Sequence, residues 1–463
     1  MPPLLAIGLA IRTRQVYLSL AGGIWLGWTI LSGWNPGAGA AASIDATVRV
    51  MGDAGNARVL LFTFAIGSLI AVIEANGGVR GFVSWVETRR WVTNARRARV
   101  LAWLIGVVIF IESNITILVA GSICRPLFDR FKVSREKLAY LVDSTSAPVC
   151  IVIPFNAWGA YVLSLLIALD VTQPVGVFVA SIPLNFYALA AVSLAGFSAV
   201  TGLNIGPMRA AETRTQEGKL HWDHAVALAD PEDIAPPPAD GIPLRPVNML
   251  LPVAAMVLSM PLAMYITGGG DIMNGSGSTS VLWAVATGLG VAWALTLAQR
   301  LLDLEGLSRA SLTGASGLTG MALVLLLAIT LGDVTQVMGT GEYVAGIVGD
   351  RVPLAALLPL IFLSAAGIAF ATGSSWGTFA IMIPVAVPLA VALDVSLSPF
   401  VAAVLSGGVF GDHCSPISDT TIISSLASAS DHIEHVRTQI PYALLAGTVA
   451  AIGFAITGAV LGA

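Results

Sequence analysis

Five side chains able to hold a small cation or a proton, Asp412, His413, Ser415, Ser418 and Asp419, fall within eight positions of this chain. They stand in a polar stretch, residues 407–424, between two long apolar runs. Pro416 removes a backbone donor in its middle, so a helix there is broken and carbonyl oxygens are freed. Carboxylates, hydroxyls and freed carbonyls are hard oxygen ligands that suit an alkali cation, and a carboxylate also takes a proton. Burying such groups at membrane depth is costly, which makes them candidates for function. A second set, Asp143, Ser144 and Thr145, precedes Pro148 in the same way, and two further polar groups interrupt apolar runs: Glu112, Ser113, Asn114 and Thr116, then Ser374, Ser375 and Thr378. Asp143, Asp412 and Asp419 are the expected sodium ligands, Glu112 a proton carrier at a hairpin tip, and the hydroxyls and Asn114 neutral ligands. His413 would titrate or orient Asp412, although neighbours in a helix do not face one another. Each has a structural alternative: Asp caps broken helix ends, and hydroxyls bond between membrane helices.

The elements that must position these residues follow from composition. With 56% hydrophobic and 11% charged residues among 463, and a mean hydropathy of +0.84, the chain reads as an all-α polytopic membrane protein. Its 48 glycines and 24 prolines predict close packing and interrupted helices. Spans are expected at 16–34 and 58–79, followed by a loop carrying Arg80, Arg89, Arg90, Arg96, Arg97 and Arg99, which places that loop in the cytoplasm. The next apolar run ends at Arg125, Arg130, Lys132, Arg135 and Lys137, also cytoplasmic, so the segment of about 99–125 is expected to be a re-entrant hairpin with Glu112 to Thr116 at its tip. A broken helix is expected at about 138–169 and a returning span at 174–200, after which residues 203–246 form a hydrophilic cytoplasmic linker. Its His221 and His224 read as a solvated loop face. A linking span at 247–266 precedes spans at 280–299 and 310–331, a second hairpin at about 353–393, a second broken helix at about 399–430 and a last span at 439–461.

Residues 1–202 and 280–463 therefore read as two inverted repeats, giving about nine transmembrane helices, two of them discontinuous, plus two re-entrant hairpins. Gly106 to Pro126 aligns with Gly367 to Val387 without a gap, and Ser144 to Pro148 with Asp412 to Pro416. The expected location is the cell membrane, multi-pass, with the N-terminus cytoplasmic. Arg12 and Arg14 follow the first apolar run, unlike a cleavable signal. Cys124, Cys150 and Cys414 read as reduced thiols, and His432 and His435, beside Asp431 and Glu434, as a solvated cluster at the cytoplasmic mouth.

The runs Phe410 to Ser425, Ser430 to Tyr442, Val133 to Val149 and Gly373 to Phe379 closely resemble signatures of the NhaC family of sodium/proton antiporters. The resemblance spans roughly 60–202 and 310–450. It implies the ion transporter superfamily fold, a site formed by two hairpins and two unwound helices, a coupling sodium ion and a homodimer. One departure stands out. Where family members carry paired aspartates at the first tip and then Asn, this chain has Glu112-Ser113 and Thr116. That tip also resembles the tips of divalent-anion/sodium symporters of the same superfamily, so a sodium-coupled carrier of an organic solute, a carboxylate or amino acid, is the alternative.

The leading expectation is a secondary transporter that exchanges sodium for protons by alternating access, with membrane lipid around it and no nucleic-acid partner or cofactor. A hydrolase built on Ser415 or Ser418 with His413 and Asp419 is disfavoured: His413 and Ser415 are too close in sequence to converge, and no nucleophile elbow is present in this stretch. A continuous channel is disfavoured by hairpins closing from opposite sides.

Overall fold

A chain this apolar must satisfy its backbone polar groups internally, which the α-helix does along its own length. In the computed structural model every regular element among the described residues is accordingly helical. The structure describes residues 2–462 except 14, 89–91, 111–112, 155, 223–241, 271–274, 340–342, 344–345 and 347–351. The chain opens with α1 (Pro2–Thr13), α2 (Val16–Leu31), α3 (Pro36–Gly52), α4 (Ala54–Ala75) and α5 (Gly78–Thr88). Helices α6 (Ala95–Val108) and α7 (Ser113–Arg130) pack together. Then come α8 (Arg135–Asp143), α9 (Ala147–Val152), α10 (Ala157–Ala168), α11 (Pro174–Ser181), α12 (Phe186–Thr201) and α13 (Pro207–Gln216). The remainder is α14 (Val247–Thr267), α15 (Gly277–Ala298), α16 (Leu304–Gly317), α17 (Thr319–Val337), α18 (Leu354–Thr372), α19 (Ser375–Ala392), α20 (Leu397–Cys414), α21 (Asp419–Ser428) and α22 (His432–Leu461).

Six of these (α4, α14, α15, α18, α19 and α22) are each long and apolar enough to cross a bilayer. Three bent pairs, α2 with α3, α11 with α12 and α16 with α17, raise the number among the described residues to nine at most. Short polar side chains start the interrupted helices by accepting backbone N–H groups that have no partner within the helix. Ser134 caps α8, Asn156 caps α10, Ser374 caps α19, Ser418 caps α21 and Asp431 caps α22.

Breaks fall where the polar runs lie. Helix α8 stops at Asp143, and Ser144 to Ser146 carry the chain to the six-residue α9, which begins Ala147-Pro148. A further interruption follows at 153–156, where the Asn156 amide donates to the carbonyls of Phe110 (2.9 Å) and Cys150 (2.8 Å). That one side chain ties the bend between α6 and α7 to the second break of the same helix. In the other half α20 stops at Cys414 and α21 starts at Asp419. The bend between α18 and α19 rests on this break: Gly373, at φ 66°, lies against the Ile417 carbonyl, and Ser415 Oγ donates to the Phe370 carbonyl at 2.8 Å.

Two features depart from the expected outline. Residues 2–13 form a helix of their own that lies antiparallel along α2, with Leu9 at Gly22, Ala6 at Gly23 and Pro2 at Gly27. Small residues at 22, 23 and 27 permit that approach. The first part of the hydrophilic linker is not a loop but holds α13, packed on α8 and α22. His224, singled out in the sequence, lies outside the described residues.

Candidate functional site

The end of α8 and the end of α20 meet inside the protein, joined by α22. Asp143, Asp412, His413, His435 and Gln439 are each no more than 1% exposed. Gln439, from α22, donates its amide N–H groups to Asp143 Oδ2 (2.5 Å) and to the His413 carbonyl (3.0 Å), so one side chain bridges the two broken helix ends. His435, one turn earlier, places Nε2 3.4 Å from the same Asp143 oxygen. Thr420 Oγ1 donates to Asp412 Oδ2 at 2.9 Å. Thr421 Oγ1 stands 3.5 Å from both Asp143 Oδ2 and the Asp412 carbonyl, and its single hydrogen serves one of them at a time. Tyr187, on α12, holds His413 through Nδ1 at 3.0 Å.

What is left over matters as much as what is bonded. Asp143 Oδ1, Asp412 Oδ1 and Gln439 Oε1 are buried acceptors with no hydrogen-bond partner, and His413 Nε2 is a buried ring nitrogen likewise without one. Buried oxygens without donors are rare in folded proteins because each forgoes the hydrogen bonds it had with water. Among the described residues no lysine or arginine pairs with either carboxylate. Positive charge supplied from outside, as a cation on several of these oxygens or as protons, meets that deficit. No group of three or more His, Cys, Asp and Glu side chains suited to a metal ion occurs among the described residues. A cation here would take part of its shell from hydroxyl, amide and carbonyl oxygens, a set that suits sodium better than zinc.

The other residues expected at the site are distributed around it. Asp419 opens α21 and is exposed, with Oδ1 accepting the Thr420 N–H at 2.9 Å. Ser418 caps α21 and lies 3.1 Å from Thr420 Oγ1. Ser415 holds the α18–α19 bend as described. Ser144 is buried in the first break, whereas Thr145 turns back to the Leu141 carbonyl at 2.7 Å. At the α6–α7 bend, Ser113 is buried, Asn114 Oδ1 is a buried oxygen without a partner, and Thr116 Oγ1 donates to the Ile109 carbonyl. Glu112 lies outside the described residues. At the α18–α19 bend Ser374 caps α19, Ser375 Oγ donates to the Gly408 carbonyl at 3.3 Å and Thr378 returns to the Ser374 carbonyl at 2.9 Å. None of these three touches a site carboxylate.

Sequence reasoning missed Gln439, His435, Thr420, Thr421 and Tyr187. The expectation of a solvated histidine pair fails for His435, which α22 carries inward. His432 is half-buried and bonds the Pro416 carbonyl (2.6 Å) and Ser425 Oγ (3.0 Å). The signal was available: His435, Gln439 and Tyr442 recur at helical spacing and mark one polar face of the last helix.

Residues 162–459 match the Na+/H+ antiporter family. The chain belongs to that family. An uncharacterized protein of Haemophilus influenzae is 34% identical over 481 residues, covering 99% of this chain and 90% of the relative. The malate-2H(+)/Na(+)-lactate antiporter of Bacillus subtilis is 36% identical over 109 residues, 22% of this chain and 23% of that protein. Among solved structures, the YdaH transporter of Alcanivorax borkumensis superposes with a TM-score of 0.57 at 15% identity, over 90% of this chain and 86% of that one. At that identity the likeness speaks for the fold alone. The protein is therefore a multi-pass membrane transporter of the antiporter type and not an enzyme. The family match takes in Asp412 and Asp419 and begins after Asp143.

Proposed function

We propose that this protein exchanges sodium for protons by alternating access, at the crossing of the two broken helices. One observation carries the reading: Asp143 and Asp412 are buried at that crossing with one bare oxygen each, beside the bare Gln439 amide oxygen and, among the described residues, with no lysine or arginine paired to them. Sodium and protons would compete for these oxygens, and competition for a shared carboxylate is sufficient to couple opposite fluxes. Glu112, on its place in the sequence, would be a third proton-carrying carboxylate. Asp419, which is exposed, would receive the ion.

The same reading places the protein in the cell membrane, as two inverted repeats acting as a homodimer, with residues 80–99 and 125–137 on the cytoplasmic side. On that assignment the doubling back of α1 carries residue 2 to the outer end of α2, opposite to the cytoplasmic start expected from a simple crossing at 16–34. The test is proton movement in proteoliposomes loaded with a pH-sensitive dye, with sodium, lithium or potassium added outside. Sodium alone should move protons. If it does nothing, exchange is wrong and an organic solute is the cargo to seek.

A further inference from the structure

Helix α8 has nine residues and bears Asp143 at its last position, so its own length cannot fix its depth in a bilayer. Its other end is polar: Arg135 pairs with Asp129 on α7, and Ser134, Glu136 and Lys137 are held from α12 and the segment that follows it to residue 222. Glu136 and Arg214 form a buried two-toothed ion pair at 2.7 and 2.9 Å, and Trp222 Nε1 donates to Glu136 at 3.0 Å while its ring lies 4.6 Å from the guanidinium. Arg214 also donates to the carbonyls of Lys219 and Leu220. Ser134, the cap of α8, donates both its N–H (3.1 Å) and its hydroxyl (2.8 Å) to Glu212. Lys137, fully buried, donates to Ser198 Oγ (2.5 Å), the Leu203 carbonyl (2.6 Å) and Asn204 Oδ1 (3.1 Å), and faces the Tyr140 and Tyr442 rings.

We propose that Arg214, through its pair with Glu136, is a positioning residue for transport: it fixes from the linker the depth at which α8 presents Asp143. The functional half of this statement rests on the ion-exchange reading above. Glu212, Arg214 and Trp222 then couple the linker to the transport machinery, and their displacement reaches the site along α8. A buried ion pair is a weak source of stability, since well-packed apolar residues of similar size often replace it without loss. What such residues cannot replace is the fixed geometry of two parallel N–H···O bonds. Stability and positioning can therefore be separated.

The experiment compares wild type, Glu136→Met/Arg214→Met and Arg209→Ala, an exposed change on the same helix, in melting temperature, hydrogen exchange over 138–147 and sodium KM against turnover. The double variant should melt close to wild type, exchange faster over 138–147 and show a sodium KM raised about ten-fold with turnover less affected. Arg209→Ala should match wild type throughout. A folded double variant with unchanged exchange and unchanged KM overturns the proposal. Faster exchange in the variant, together with a wild type that moves no protons on sodium addition, overturns ion exchange but leaves the positioning of α8 supported. Should the double variant fail to fold, Glu212→Gln, which loosens the Ser134 cap, is read by the same exchange and KM criteria.

Discussion

The two breaks at the site are built differently. The first, after Asp143, is closed on all sides: the helix leading into it is buried along its length and its far end is clamped by Glu212, Arg214 and Trp222. The second, after Cys414, is open. Ile417 and Asp419 are exposed there, while Ser415, Thr420, His432 and Gln439 hold the break from within by hydrogen bonds. Asp143 is thus presented by a short helix clamped at its far end, and Asp412 by the long buried helix α20, beyond which the chain emerges at Ile417 and Asp419. On the proposed alternating-access reading, the clamped first break would serve as the reference frame and the open second break as the moving part. Gln439, bonded to both, is the link between them.

The largest expected effect concerns the carboxylates. Asp143→Asn and Asp412→Asn should each reduce sodium-driven proton flux to the level of empty liposomes, whereas Asp419→Asn should retain flux with weaker apparent sodium affinity. Equal loss in all three would erase the distinction between a buried pair and an exposed residue. Next comes the clamp. Arg214→Met alone leaves Glu136 buried without its counter-charge and should cost about 3 kcal/mol of stability, read as a fall in melting temperature in detergent. A single variant as stable as wild type would mean that the first break is not held as described. Third, Gln439→Leu removes the bridge and should raise the sodium KM about ten-fold while the protein still folds. A smaller effect belongs to His221, whose Nε2 lies 3.0 Å from the Arg135 guanidinium and must accept from it. Burial, then the Arg135 and Arg214 charges, push its pKa below the ordinary value of about 6.5, against the weaker opposing pull of Glu136 and Asp129. Its neutral form is therefore favoured in the folded protein. The stability it contributes is present above about pH 6.5 and is lost as pH falls through the lower folded value. His221→Phe should flatten the acid limb of the melting temperature between about pH 7 and 5 by a degree or two.

Much of the site was legible because the second break is a polar run set in apolar sequence, and a membrane leaves few reasons for such a run. Asp143 was legible for the same reason, beside its serines and Pro148. Gln439 and His435 were not, because they follow a charged cluster that reads as the end of a loop; only the start of α22 at His432 turns them inward. The clamp was illegible on other grounds. Glu136 and Arg214 lie 78 positions apart, and charges in a hydrophilic linker read as solvated until their partner is known. Helix α1 escaped notice because an apolar run ending in arginines fits the start of a plain crossing as well as a hairpin. The hydroxyls of Thr145 and Thr378 illustrate the opposite case, since residues of the right chemistry serve their own helices.

The most direct test of a shared site is proton release on sodium binding, followed with a pH indicator in weakly buffered detergent solution for wild type, Asp143→Asn and Asp412→Asn. Competition at common carboxylates predicts that sodium expels protons from the wild type and that either substitution abolishes the release. No release from the wild type, or undiminished release from both variants, would contradict the assignment of sodium and protons to this crossing.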